Sequence, residues 1–138
     1  MFARSELEIE AADENLEEVL AFVGEQLDAA GCGSRAQMQI GVAVEEIFVN
    51  IAHYAYAPDK GIATVRVEVS DDPVTVSITF VDHGVPYDPL AKPDPDVALP
   101  AAERPIGGLG VFLTKKLMDG VSYEYRDGQN ILTLTKIL

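Results

Sequence analysis

The chain has 138 residues and carries 23 acidic against 10 basic side chains, a net charge of −13, and that field repels a phosphate backbone, so direct nucleic-acid binding is not expected. At 48% apolar and 24% charged residues the composition is that of a globular protein, and no apolar run approaches the roughly 20 residues of a bilayer span, so no membrane partner is expected either. The length fits one domain over residues 1–138; the start turns acidic by Glu6 without an apolar signal core, which gives a cytoplasmic expectation, and the lone Cys32 permits neither an intrachain disulfide nor a cysteine-based metal site.

Ser5 to Glu10 alternates polar and apolar residues, the period of a half-buried strand. A helix follows, with Asp13 as its expected N-cap and Leu16, Val19, Leu20, Val23 and Leu27 at helical spacing until Gly31 and Gly33. A second helix opens at Ser34 and Gln37 in capping-box spacing and runs to about Tyr56, before Pro58 and Gly61. Ile62–Val69 and Val74–Val81 alternate as strands around the turn Asp71-Asp72-Pro73, which predicts an antiparallel hairpin. From His83 to Pro105 there are six prolines and no periodicity, the composition of a functional or mobile loop. Gly107-Gly108-Leu109-Gly110 then leads into a short helix ending near Met118. A last hairpin, Val121–Arg126 and Ile131–Ile137, turns at Asp127-Gly128. Grouped hairpins and three helices predict an α+β fold: a two-layer sandwich in which a mixed, mostly antiparallel sheet carries the helices on one face.

Three segments could carry chemistry. On the long helix, Glu46, Asn50 and His53 share one face beside the apolar stripe Ile40, Ala43, Val44, Ile47 and Ile51. Such a line is ordinarily solvated, but its flanks Val42, Val49 and Ala52 are apolar, and buried polar groups there need partners that a ligand can supply. Asp82 ends an apolar strand beside Gly84. Alone the pair reads first as a turn; as a site, the carboxylate selects an exocyclic amine such as that of adenine, and the glycine lets a flat ligand approach the backbone. The glycine run is either a hinge or a phosphate cradle of backbone N–H groups at a helix start. It is not a Walker A loop, since no Gly-Lys-Ser/Thr follows, and Lys115 and Lys116 fall near the C-terminus of the helix.

In order and spacing these segments resemble the N, G1 and G2 boxes of the GHKL (Bergerat-fold) ATP-binding domains. More closely, Glu46-Ile-Phe-Val-Asn50-Ile-Ala-His-Tyr-Ala-Tyr56, Asp82-His-Gly84-Val-Pro86-Tyr87-Asp88-Pro89 and Gly107-Gly-Leu-Gly110-Val-Phe-Leu113 are similar to the bacterial anti-sigma-factor serine/threonine kinases. The resemblance implies ATP and Mg2+ as cofactors, with Asn50 as the magnesium ligand and Glu46 as the general base. It makes Asp82 the adenine-binding carboxylate, Gly84 the glycine beneath the base, Gly107, Gly108, Leu109 and Gly110 the phosphate turn, and residues 89–106 the ATP lid. Its kinase members usually read Asn-x-x-x-His-x-Tyr, whereas here Tyr54 holds the histidine place and His53 falls one earlier. The few residues before the first helix, with no histidine among them, suit a stand-alone kinase. The implied function is γ-phosphoryl transfer to a serine or threonine of a small anti-anti-sigma (STAS-type) protein, with sequestration of a sigma factor, in a homodimer. The other reading is an ATP- or ADP-gated binding module with little or no transfer.

Overall fold

The computed structural model describes residues 2–56, 58–71, 73–91 and 109–138. Five strands, β1 (Phe2–Glu10), β2 (Ile62–Ser70), β3 (Thr75–Asp82), β4 (Gly120–Arg126) and β5 (Gln129–Ile137), form one sheet in the order β1-β2-β3-β5-β4. Every pairing is antiparallel, so the parallel component that a mixed sheet allows is not present among the described residues. The helices are α1 (Leu16–Ala29), α2 (Ser34–Asn50) and α3 (Leu109–Leu117).

Strand periodicity sorts the two faces of the sheet. In register across it, Leu7, Val65, Phe80, Leu132 and Tyr123 form one inward row, and Val67, Ile78, Leu134 and Val121 the next. These join Val19, Val23 and Leu27 of α1 and Ile40, Val44, Ile47 and Phe48 of α2 in a single hydrophobic core. The opposite row runs Glu6, Arg66, Thr79 and Thr133. There Arg66 Nε donates to Glu6 Oε1 at 2.7 Å and Arg4 donates to the same oxygen at 2.8 Å, and the two guanidinium groups, Arg4 first, hold the Glu6 carboxyl below its usual range.

Both expected helix caps differ from the structure. Asp13–Asn15 form a short 3-10 turn that precedes α1, and Asp13 makes no capping hydrogen bond; its carboxylate takes His53 instead, while Asn15 Nδ2 donates to Glu10 O at 2.9 Å. At α2 the residue before the helix is Gly33, with no side-chain cap. Gln37 turns back to donate to Asp28 Oδ1 at 2.6 Å and Cys32 O at 3.0 Å, closing the α1–α2 connection. The long second helix does reach Tyr56, but as two geometries. After Asn50 the chain continues as a π-helical turn over Ile51–Ala55, where the wider i→i+5 spacing ends the 3.6-residue period.

Candidate functional site

The helix segment touches both of the others: Glu46 of α2 lies against Gly110 at the start of α3, and Ala55 after α2 lies against Gly84 after β3. Glu46 and Asn50, four residues apart on α2, point the same way, and Asn50 Nδ2 donates to Glu46 Oε1 at 3.2 Å. His53 leaves their face: beyond the π turn its Nε2 meets Asp13 Oδ2 at 2.8 Å on a half-exposed surface. The next residue, Tyr54, is 52% exposed and stacks on Tyr87 with ring centroids 5.5 Å apart.

The Glu46 carboxylate lies against Gly110, the second residue of α3. A Cβ added at Gly110 would overlap both carboxylate oxygens, so the glycine lets the Glu46 side chain rest against the helix in its present position. The contact is electrostatically sensible, because the N-terminal turn of a helix carries positive dipole charge and attracts an anion. Gly110 is therefore inside the helix and faces Glu46, rather than in a loop; Leu109 opens the helix, and Gly107 and Gly108 lie outside the described residues, as does the expected lid beyond the 3-10 turn Pro89–Ala91.

Asp82 is 3% exposed at the end of β3. Its Oδ1 accepts from Gly84 N at 2.9 Å and from Asn130 Nδ2 at 2.9 Å, while Oδ2 receives no hydrogen bond from the described residues. Gly84 packs closely on the helix. Its missing side chain faces the backbone of α2's π turn, where a Cβ would collide with the Ala55 carbonyl that accepts from Val85 N at 2.9 Å. The glycine thus seats the loop after β3 on the helix. Tyr56 braces the same rim, its hydroxyl donating to Ile62 O and accepting from His83 N, each at 2.7 Å; burial raises its phenol above the ordinary tyrosine value.

Between these elements sits a small cavity of about 30 Å³, lined among others by Asn50, Ile51, Tyr87, Pro89, Tyr123 and Asn130. Asn130 and Tyr123 lie outside the segments that the sequence singles out. The available signal was strand parity: Asn130 continues the inward row of Leu132 and Leu134 and lies directly opposite Asp82. Reading β5 from Ile131 instead of Gln129 cut it off. Among the described residues no group of three His, Cys, Asp or Glu side chains is placed to hold a metal, and no helix is long and apolar enough to cross a membrane.

The profile of the histidine kinase-like ATPase domain matches residues 9–136, which include the buried Asp82, the Asn50–Glu46 pair on α2 and the start of α3. The chain belongs to the histidine kinase-like ATPase family. Within it, the serine/threonine-protein kinase BtrW of Bordetella bronchiseptica is 30% identical over 102 residues, 74% of this chain and 71% of that protein. The serine-protein kinase RsbW of Bacillus cereus is 31% identical over 101 residues, 70% of this chain and 61% of that one, so this ATPase-family chain spans less than two-thirds of RsbW. The crystal structure of the RsbU and RsbW domains of a Mycobacterium tuberculosis protein superposes with a TM-score of 0.67 at 21% identity, over 97% of this chain and 32% of that one, which establishes the shared fold.

Proposed function

We propose that this chain is an ATP-dependent serine/threonine protein kinase that works as an anti-sigma regulatory factor, phosphorylating a small STAS-type anti-anti-sigma protein and holding a sigma factor while that protein is phosphorylated. The observation that carries the reading is the cavity lined by Asn50 and Asn130: Asn130 donates to Asp82 on the β3 side, and Asn50 donates to Glu46, which lies against Gly110 at the start of α3. An adenine amine would donate to Asp82 Oδ2, leaving the phosphates to run along α2 toward α3. The relatives named as serine and serine/threonine kinases support the same direction.

Asn50 fits a role in holding Mg2+. Its amide N–H is given to Glu46, which turns Oδ1 outward as a hard oxygen donor, and a cation held mostly by phosphate oxygens and water needs few protein ligands. The ion would supply charge neutralisation on the phosphates. Glu46 then has the chemical part: its carboxylate accepts the proton of a partner serine hydroxyl as that oxygen attacks the γ-phosphorus, and the bond to the bridging oxygen breaks to release ADP. Tyr87 and Pro89 line the cavity, which has room for little more than water, so a purine would have to displace them. Residues 1–138 would act as one ATP-binding unit, in the cytoplasm and as a homodimer.

Calorimetry with ATP, ADP and GTP in the presence of Mg2+, followed by incubation with labelled ATP and a candidate STAS partner, tests the proposal. Preference for adenine nucleotides together with label on a partner serine is expected. Equal affinity for GTP sinks the pocket reading, and nucleotide binding without transfer sinks the kinase in favour of a gated binding module.

A further inference from the structure

We propose that Tyr54 is a positioning residue that restrains nucleotide entry: its ring stacks on Tyr87, holds that side chain in the wall of the cavity, and so slows the access of a purine. The inference rests on the reading of the cavity as the nucleotide site and names a control on the way into it. Tyr87 lines the cavity together with Asn50, Pro89 and Asn130, whereas Tyr54 does not. The two phenol rings lie 5.5 Å apart between centroids with 29° between their planes, and Tyr54 is 52% exposed. Tyr54 occupies the place where the resembled kinases usually carry histidine, so the contact is a feature of this sequence.

The two sides of the contact are anchored differently. Tyr54 sits in the π turn between two fastened neighbours: His53 Nε2 meets Asp13 Oδ2 at 2.8 Å, and the Ala55 carbonyl accepts from Val85 N at 2.9 Å. On the other side the backbone around Tyr87 is tied to β5 through Asn130, whose Nδ2 donates to Val85 O at 2.8 Å and whose Oδ1 accepts from Tyr87 N at 3.1 Å and from the Tyr123 hydroxyl. With the backbone held at both Val85 and Tyr87, the ring of Tyr87 is the part that can give way, by rotation about its own χ angles. A cavity of about 30 Å³ admits a purine only after such a movement. Each opening breaks the stack on Tyr54, and the fraction of molecules competent to bind is lowered by the worth of that contact. Because Tyr54 lies outside the cavity wall, removing its ring takes no contact from the nucleotide. Shortening this side chain therefore strengthens binding, the opposite of what loss of a ligand contact does.

Stopped-flow mixing with a fluorescent N-methylanthraniloyl ATP and Mg2+ tests this, and the chain's lack of tryptophan keeps the background low. In Tyr54→Ala the association rate should rise roughly 2- to 12-fold, the worth of an aromatic pair, with the dissociation rate near wild type and the affinity rising in proportion. Tyr54→Phe keeps the ring and should behave as wild type. A structural or ligand-contacting role gives the opposite sign in Tyr54→Ala, faster dissociation and weaker binding, and overturns the proposal, as does a Tyr54→Phe that accelerates as much as Tyr54→Ala. If the wild type binds no adenine nucleotide, the cavity reading falls and the restraint with it; if it binds and Tyr54→Ala associates no faster, the restraint alone falls. The wild type also decides without any variant. Nuclear Overhauser contacts between the Tyr54 and Tyr87 rings should be present in buffer and vanish on adding ATP with Mg2+, and their absence in buffer or persistence in the complex overturns the proposal.

Discussion

Glu46 and Asn50 are close enough to share a hydrogen bond, yet the chemistry asked of them differs, and substitution separates it. Glu46→Gln keeps the volume and can still accept from Asn50 through its amide oxygen, so nucleotide affinity should stay near wild type. Removing the proton acceptor should lower phosphoryl transfer by roughly 10²- to 10⁴-fold, measured in single-turnover assays with a STAS partner. Asn50→Ala removes the oxygen proposed to hold Mg2+ and should weaken ATP binding and transfer together, with the binding loss disappearing when Mg2+ is withheld. Equal loss of binding in both variants would assign the pair a structural role. His53, which the helical spacing grouped with them, is outside this prediction because its partner is Asp13.

At the scale of elements, two glycines report contacts rather than freedom, since neither has a positive φ. Gly84→Ala drives a methyl into the Ala55 carbonyl, backbone on both sides, so the loop after β3 must lift from α2. Overpacking of this kind is worth about 1–3 kcal/mol, and a lower urea midpoint with an unchanged slope is expected. Gly110→Ala meets the end of a longer side chain, which can swing away, so transfer should fall more than stability, as read by comparing single-turnover rates with urea melts. The strands, the three helices and the two polar segments were legible because each rests on local period or on a short motif. The caps were not. Asp13 and Gln37 have the right letters in the right places, but tertiary partners, His53 and Asp28 with Cys32 O, compete for their side chains. Three of the four hydrogen-bond partners of Asn130 lie 43 to 48 positions earlier, beyond the reach of any window along the sequence. The I′-like turn at Asp127 and Gly128, with φ of 54° and 78°, shows the opposite case, a geometry written in two adjacent residues.

For the molecule as a whole, acidity and partly buried phenols together set the response to alkali. The net charge of −13 already opposes compaction, and deprotonating tyrosines adds to it. Burial raises the phenols of Tyr56 and Tyr123 above the ordinary value, with nearby acids contributing, Asp82 at Tyr56 and Asp88 and Asp82 at Tyr123; a backbone N–H donated to each ring oxygen works the other way. The folded state therefore keeps protons that the unfolded chain has released once the pH passes about 10. In that window the native state binds more protons, so stability falls as pH rises, whereas below it the contribution is fully present. Urea midpoints should be level from about pH 8 to 9.5 and then decline. Tyr56→Phe cannot ionise at that position and should flatten part of the decline, while starting lower at neutral pH because Ile62 O and His83 N lose their shared partner. A parallel decline in wild type and Tyr56→Phe would assign the alkaline sensitivity to overall charge repulsion, and Tyr56 would keep only its bracing of the Asp82 rim.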